Sequence, residues 1–189
     1  MIVGDPSTFA IESQITRAYR NPGLLALGFF VIHVGGKCYG LRQSDATLLA
    51  CSFDEVERRL AMRGAHTAPF ATLNAGQIAE AFREAIYAET PAESYFGIAL
   101  PCFRDYFGRE ASDLMWAPDG DTAFDDGSYV LQCDVKDHAR LIAFRSGSST
   151  AVASATLVDV WIAESVFYEV LQRWCDLFEI EWTNLPKAE

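Results

Sequence analysis

Residues 1–19, "MIVGDPSTFAIESQITRAY", carry the reading that decides the fold class. Gly4, Asp5 and Pro6 are turn formers, and after them Phe9, Ile11, Ser13 and Ile15 alternate with Ala10, Glu12, Gln14 and Thr16. A period of two marks a strand with one buried face, because successive side chains of extended backbone point to opposite sides. A secretory signal would open with a basic segment, a long apolar run and a small-residue cleavage site. None of these is present in the first residues, so the chain is expected to keep its N-terminus and to begin in a strand.

Beyond the turn at Asn21-Pro22-Gly23, residues 24–42, "LLALGFFVIHVGGKCYGLR", read as two extended segments about Gly35-Gly36, a hairpin signal. "TLLACS" reads as a further strand or strand end, after which Ser52 and Glu55 have the spacing of a capping box that opens a helix with Phe53, Val56 and Leu60 on one face. Arg58, Arg59 and Arg63 sit in its C-terminal half, where the helix dipole favours cations, and Gly64 can end it. A second helix is predicted after Asn74, with Ile78, Ala81, Phe82, Ala85 and Ile86 as its apolar face and Thr90-Pro91 as its stop. Residues 95–127 lose periodicity and read as short turns in a long excursion. "SYVLQCDV", "ARLIAF" and "LVDVWI" read as three more strands. Phe167, Val170, Leu171, Trp174, Leu177 and Phe178 form the core stripe of a C-terminal amphipathic helix. The expected architecture is α+β: a mainly antiparallel sheet of about six strands with two or three packed helices, in one domain spanning residues 1–189.

The charge of −11 is unevenly placed. Residues 1–104 are close to neutral, residues 105–137 hold nine acids against Arg109 and Lys136, and residues 159–189 hold seven acids against Arg173 and Lys187. Such a chain repels nucleic acid phosphates, so a charged partner is expected to be basic. The longest apolar run, Leu24 to Ile32, is nine residues, far short of the roughly 20 that cross a bilayer. No membrane association is expected. Five cysteines without a C-x-x-C pair signal neither a disulfide framework nor a zinc cluster, and they suit a reducing cytoplasm.

The search for chemistry returns little. His33, His66 and His138 lack metal-ligand spacing, "RSGSST" lacks the lysine of a phosphate loop, and "PDGDTAFDDG" misses the calcium-loop spacing. Cys51, Cys133 and Cys175 lie in apolar-patterned elements, where cysteine is ordinarily a small hydrophobe. The one catalytic pattern is Pro118-Asp119 followed by Asp134-Val135-Lys136, which matches PD-(D/E)-x-K metal nucleases, two carboxylates holding magnesium and a lysine placing the water. The scarcity of nearby cations to hold phosphates argues against it. No cofactor and no metal are expected, and a metal-dependent nuclease or an acidic adaptor for another protein stand as alternatives.

The opening "MIVGDPSTFAIE" resembles the start of the immunity protein 42 family, Met-Ile-x-Gly-(Asp/Asn)-Pro followed by Phe-Ala-Ile, through Met1, Ile2, Gly4, Asp5, Pro6, Phe9, Ala10 and Ile11. "FFVIHVGGKCYG", "AEAFREAIYA", "ARLIAF" and "VWIAESVFYEVLQRW" follow that family's order of elements. The resemblance implies a bacterial immunity protein without catalysis of its own. It would bind and neutralise the toxin domain of a polymorphic toxin, as in contact-dependent growth inhibition. Charge placement adds that the toxin is basic, as a nuclease such as a tRNase must be to hold its substrate. The acids expected to face it are Asp119, Asp121, Asp125 and Asp126 in the aperiodic segment, and Glu169, Asp176 and Glu179 on the last helix.

Overall fold

The computed structural model describes residues 1–21, 23–108, 113–116, 122–146 and 155–188. Its strands are β1 (Ile2–Asp5), β2 (Phe9–Tyr19), β3 (Ala26–Val34), β4 (Lys37–Tyr39), β5 (Thr47–Leu48), β6 (Ser94–Tyr95), β7 (Ile98–Ala99), β8 (Ser128–Val135), β9 (His138–Arg145), β10 (Val158–Ala163) and β11 (Lys187–Ala188). The helices are α1 (Leu49–Ala61), α2 (Ala75–Tyr87), the short α3 (Leu100–Asp105) and α4 (Glu164–Asn184), with a 3₁₀ turn at Thr122–Phe124. The class is α+β, with α4 as the C-terminal amphipathic helix. A six-stranded sheet runs β1-β2-β3-β4, with β5 pairing β3 and β11 pairing the end of β2 in parallel. Strands β8, β9 and β10 do not extend this sheet. They form a second one, ordered β10-β9-β8.

The opening segment is a hairpin, since residues before the Pro6 turn already pair with β2, Val3 opposite Ile11. Simple alternation along β2 fails: residues 9–13 are all buried. The inward set Phe9, Ile11 and Ile15 joins the core, while the connection after β4 ties onto the outward set, Arg42 pairing with Glu12 and the Thr16 hydroxyl donating to the Ser44 carbonyl. Glu12 also meets His33 Nε2 at 2.9 Å. Burial alone would raise the Glu12 pKa, but hydrogen bonds from Arg42 and His33 hold it below the ordinary carboxylate value. At the β3–β4 turn Gly35 and Gly36 have φ of 55° and 78°, the left-handed pair that a two-residue hairpin requires.

The second sheet lies between two apolar cores. Val130, Leu141 and Ala143 face the larger core beside α1, α4 and the first sheet, whereas Leu131, Cys133, Ile142 and Phe144 face the core built with α2 and α3. Burial on both sides explains why apolar residues fall on both faces of β8 and β9. In the larger core the Trp174 ring on α4 lies 5.2 Å from Phe30 and its Nε1 donates to Ser13 Oγ at 3.0 Å. The apolar stripe of α4 is thus packing, with Phe167, Leu171, Trp174 and Phe178 fully buried. Leu177, expected within that stripe, instead faces solvent.

Helix α1 departs from expectation at its start. The chain turns from β5 directly into helix at Leu49, Leu48 being the N-cap residue with no side-chain cap, because Leu49 and Ala50 are drawn into the core. Ser52 therefore lies within the helix, buried, its hydroxyl without a hydrogen-bond partner. Glu55 does not reach back to cap; it pairs with Arg58 at 2.7 Å and with Arg59 Nε at 2.8 Å. Arg59 lies in the C-terminal half of the helix as expected, and is wholly buried there. By contrast α2 is capped as predicted, Asn74 Oδ1 accepting from Gln77 N–H at 3.2 Å.

Arg59 belongs to a buried polar knot between α1, β8 and α4. Its guanidinium donates to Gln132 Oε1 at 2.9 Å and to the Met115 carbonyl at 2.7 Å, and it stacks over Trp116 at 4.9 Å. Gln132 Nε2 donates in turn to Asp134 Oδ1 at 3.1 Å and to Tyr168 Oη at 3.0 Å. Asp134 Oδ2 accepts from Tyr168 Oη and Gly64 N–H, each at 2.9 Å, and from His66 N–H at 3.3 Å. Burial and the adjacent Asp134 carboxylate push the Tyr168 hydroxyl far above its ordinary pKa, which keeps it a donor.

Two stability outcomes follow from these contacts. Asp134→Ala strips the acceptor from two backbone N–H groups and the Tyr168 hydroxyl, and is expected to cost about 3 kcal/mol in urea unfolding. Ser52→Ala removes a buried, unpartnered hydroxyl and improves helix propensity, so it is expected to stabilise by about 1 kcal/mol, whereas loss of a true cap would destabilise by a similar amount.

Candidate functional site

The acids singled out in the sequence fall into three situations. Asp119 and Asp121 lie outside the described residues. Asp125 is exposed in the turn after the 3₁₀ segment, while its neighbour Asp126 is engaged: Oδ1 accepts from Ser128 N–H at 3.1 Å and Oδ2 pairs with Arg145 at 3.0 Å. Asp126 therefore shapes the entry to β8 and offers less free charge than its neighbour. Glu169, Asp176 and Glu179 are exposed on α4, where Asp176 Oδ1 accepts from Gln172 Nε2 at 2.9 Å one turn earlier. The chain thus presents its described candidate acids on two elements, the turn before β8 and the outer side of α4.

The outer side of α4 carries a second feature that the core-stripe reading missed. Val166, Leu177 and Ile180 are exposed there, at 51%, 37% and 57% of their surface. Relative to Val166 they stand at positions 11 and 14, which places them on one line of an α-helix. The spacing of the core stripe does not reveal it, because Leu177 falls outside that stripe and Glu169 and Arg173 separate Val166 from Leu177 along the helix.

The nuclease pattern does not assemble an accessible catalytic centre among the described residues. Pro118 and Asp119 lie outside them, and Asp134 is buried with both oxygens occupied by hydrogen-bond donors. Lys136 is exposed in the β8–β9 turn, with a left-handed φ of 55°. Its backbone makes the turn. The histidines have separate partners: His33 meets Glu12, His66 Nδ1 faces the Asp113 carbonyl at 3.2 Å, and His138 Nδ1 lies 2.8 Å from Asp137. Among the described residues no three His, Cys, Asp or Glu side chains are grouped to hold a metal ion.

The cysteines divide by burial. Cys133 and Cys175 are core residues whose thiols burial pushes up to about 12, inert as nucleophiles near neutral pH. Cys51, expected to pack as a small hydrophobe, is exposed on α1. Its one-turn-earlier helix start rotates it away from the core. A shallow cleft of about 440 Å³ over α2 is lined by Glu80, Arg83, Glu84 and Tyr87, without a convergent set of groups suited to catalysis. No described helix is long and apolar enough to cross a membrane.

Comparison with known proteins agrees with the family resemblance of the opening. The fold is similar to that in the crystal structure of CdiI from Burkholderia dolosa AUO158, with a TM-score of 0.58 and 19% identity, covering 94% of this chain and 99% of that one. No curated protein sequence matches. The model of the family described as immunity protein 42 matches residues 1–176, and the chain belongs to that family.

Proposed function

We propose that this protein binds and neutralises the toxin domain of a bacterial polymorphic toxin of the contact-dependent growth inhibition type. In this reading it works as a single non-catalytic domain in the cytoplasm of the protected cell. Membership of the immunity protein 42 family is the observation that carries it. The fold shared with CdiI supports the growth-inhibition setting.

The toxin is inferred to be a basic nuclease, with a tRNase as one such enzyme. The net charge of −11, concentrated in two segments, supports this, because a protein that cleaves nucleic acid must present cations to the phosphates. An acidic inhibitor is steered to that cationic groove, gains association rate, and excludes substrate once docked. Asp119, Asp121 and Asp125, together with Glu169, Asp176 and Glu179, supply the steering charge. The rival reading, a metal nuclease built on Asp119, Asp134 and Lys136, is disfavoured by the donor-saturated burial of Asp134.

The test ligand is a C-terminal toxin domain encoded in the gene adjacent to this protein's own, where one is found. The expected result is one-to-one binding of nanomolar order or tighter, about −12 kcal/mol or stronger, with nuclease activity lost at equimolar inhibitor. The association rate is expected to fall at least ten-fold between low and high salt, and Asp119→Asn/Asp121→Asn/Asp125→Asn to slow association mainly at low salt. Magnesium-dependent cleavage of DNA or RNA by the purified protein itself, with no toxin bound, would sink this reading in favour of the enzyme.

A further inference from the structure

The apolar line on the outer side of α4 is not required by the fold. Phe167, Tyr168, Leu171, Trp174, Cys175 and Phe178 already give the helix a complete buried face. Single exposed aliphatic residues are commonplace on protein surfaces, but Val166, Leu177 and Ile180 share one line within fifteen residues. That line is about 21 Å long at 1.5 Å per residue. Arg173 stands on the same line between Val166 and Leu177 and acids flank it, so the strip sets apolar contacts within a charged margin; it is smaller than a whole interface, which covers about 800 Å² on each partner.

The margin identifies the partner's chemistry. Glu169 and Asp176 lie beside the line, Glu179 lies further round the helix, and Arg173 is the one cation on this face of α4. All four charges are exposed. A second copy of the chain would bring the same acids into a shared margin, where like charges cost binding energy. A cationic protein surface with an apolar ridge meets both parts of the pattern.

We propose that the outer face of α4 is the docking surface for the toxin domain, with Val166, Leu177 and Ile180 as its apolar anchors and Glu169 and Asp176 as its charged margin. The proposal rests on the function proposed above and names the surface that performs it. The two parts act on different rate constants. Charge acts at long range and sets association; apolar contact forms only after docking and sets dissociation.

Two variants separate these contributions. Val166→Gln/Leu177→Gln/Ile180→Gln leaves net charge unchanged at positions that face solvent, so its melting temperature should match the parent protein. Its complex with the toxin domain should dissociate at least ten-fold faster, with association within about two-fold. Glu169→Gln/Asp176→Asn should slow association at low salt, lose that effect at high salt, and leave dissociation nearly unchanged. Ile180→Gln alone provides the same readout should the triple variant melt early. If the unmodified protein binds the toxin domain and the apolar variants bind with unchanged kinetics, the α4 surface is overturned while the immunity function stands. If the unmodified protein does not bind, the function itself fails. A dimer of the free protein in sedimentation analysis that the apolar variant converts to monomer assigns the line to a second copy and overturns the toxin assignment.

Discussion

The oxygens of a buried carboxyl group must find hydrogen-bond partners, and at Asp134 that requirement organises the middle of the molecule. The donors come from three places distant in sequence: the backbone at residues 64–66, Gln132 on β8 and Tyr168 on α4. Satisfying them fixes where α1 ends and how the first turns of α4 sit against the second sheet. Arg59 extends the same knot to the Met115 carbonyl and to Trp116, so the segment before β8 is held by α1. An apolar replacement could fill the volume, but it would not select one relative placement of these elements through directed bonds.

That placement puts the second sheet between two cores, and the consequence for function lies in what remains uncovered. The second sheet's two faces serve separate cores, and the connection after β4 is tied down over part of the first sheet's other face. Helix α4 is different. One side is packed against both sheets, while the other side runs exposed for several turns with apolar residues and acids adjacent. A rigid helix backed by aromatic packing holds the backbone under these side chains in one conformation, so only their rotamer freedom remains.

Among the described residues, the groups singled out for chemistry are structural or stand alone. Asp134 is an acceptor for the fold, Cys133 and Cys175 are core hydrophobes, and the three histidines stand apart. The charge surplus, in contrast, is exposed in part on α4 and in the turn before β8.

What the sequence by itself determined are the features whose cause is local. Gly35-Gly36 specifies a tight hairpin because it tolerates two left-handed residues, Asn74 caps α2 through a bond three residues away, and the spacing of Phe167, Leu171, Trp174 and Phe178 defines a buried helix face. The family was legible too, from an opening motif whose residues are contiguous. Only the tertiary structure decided the rest. Ser52 and Glu55 have capping spacing, yet burial of Leu49 and Ala50 starts the helix earlier and leaves the motif inside it. The burial of Arg59 and the structural role of Asp134 have no local signal, because their partners lie as far as 73 residues away in the chain. Whether the later strands extend the first sheet or form another, and whether Leu177 faces inward or outward, depends on how elements far apart in sequence pack, and local pattern does not encode that choice.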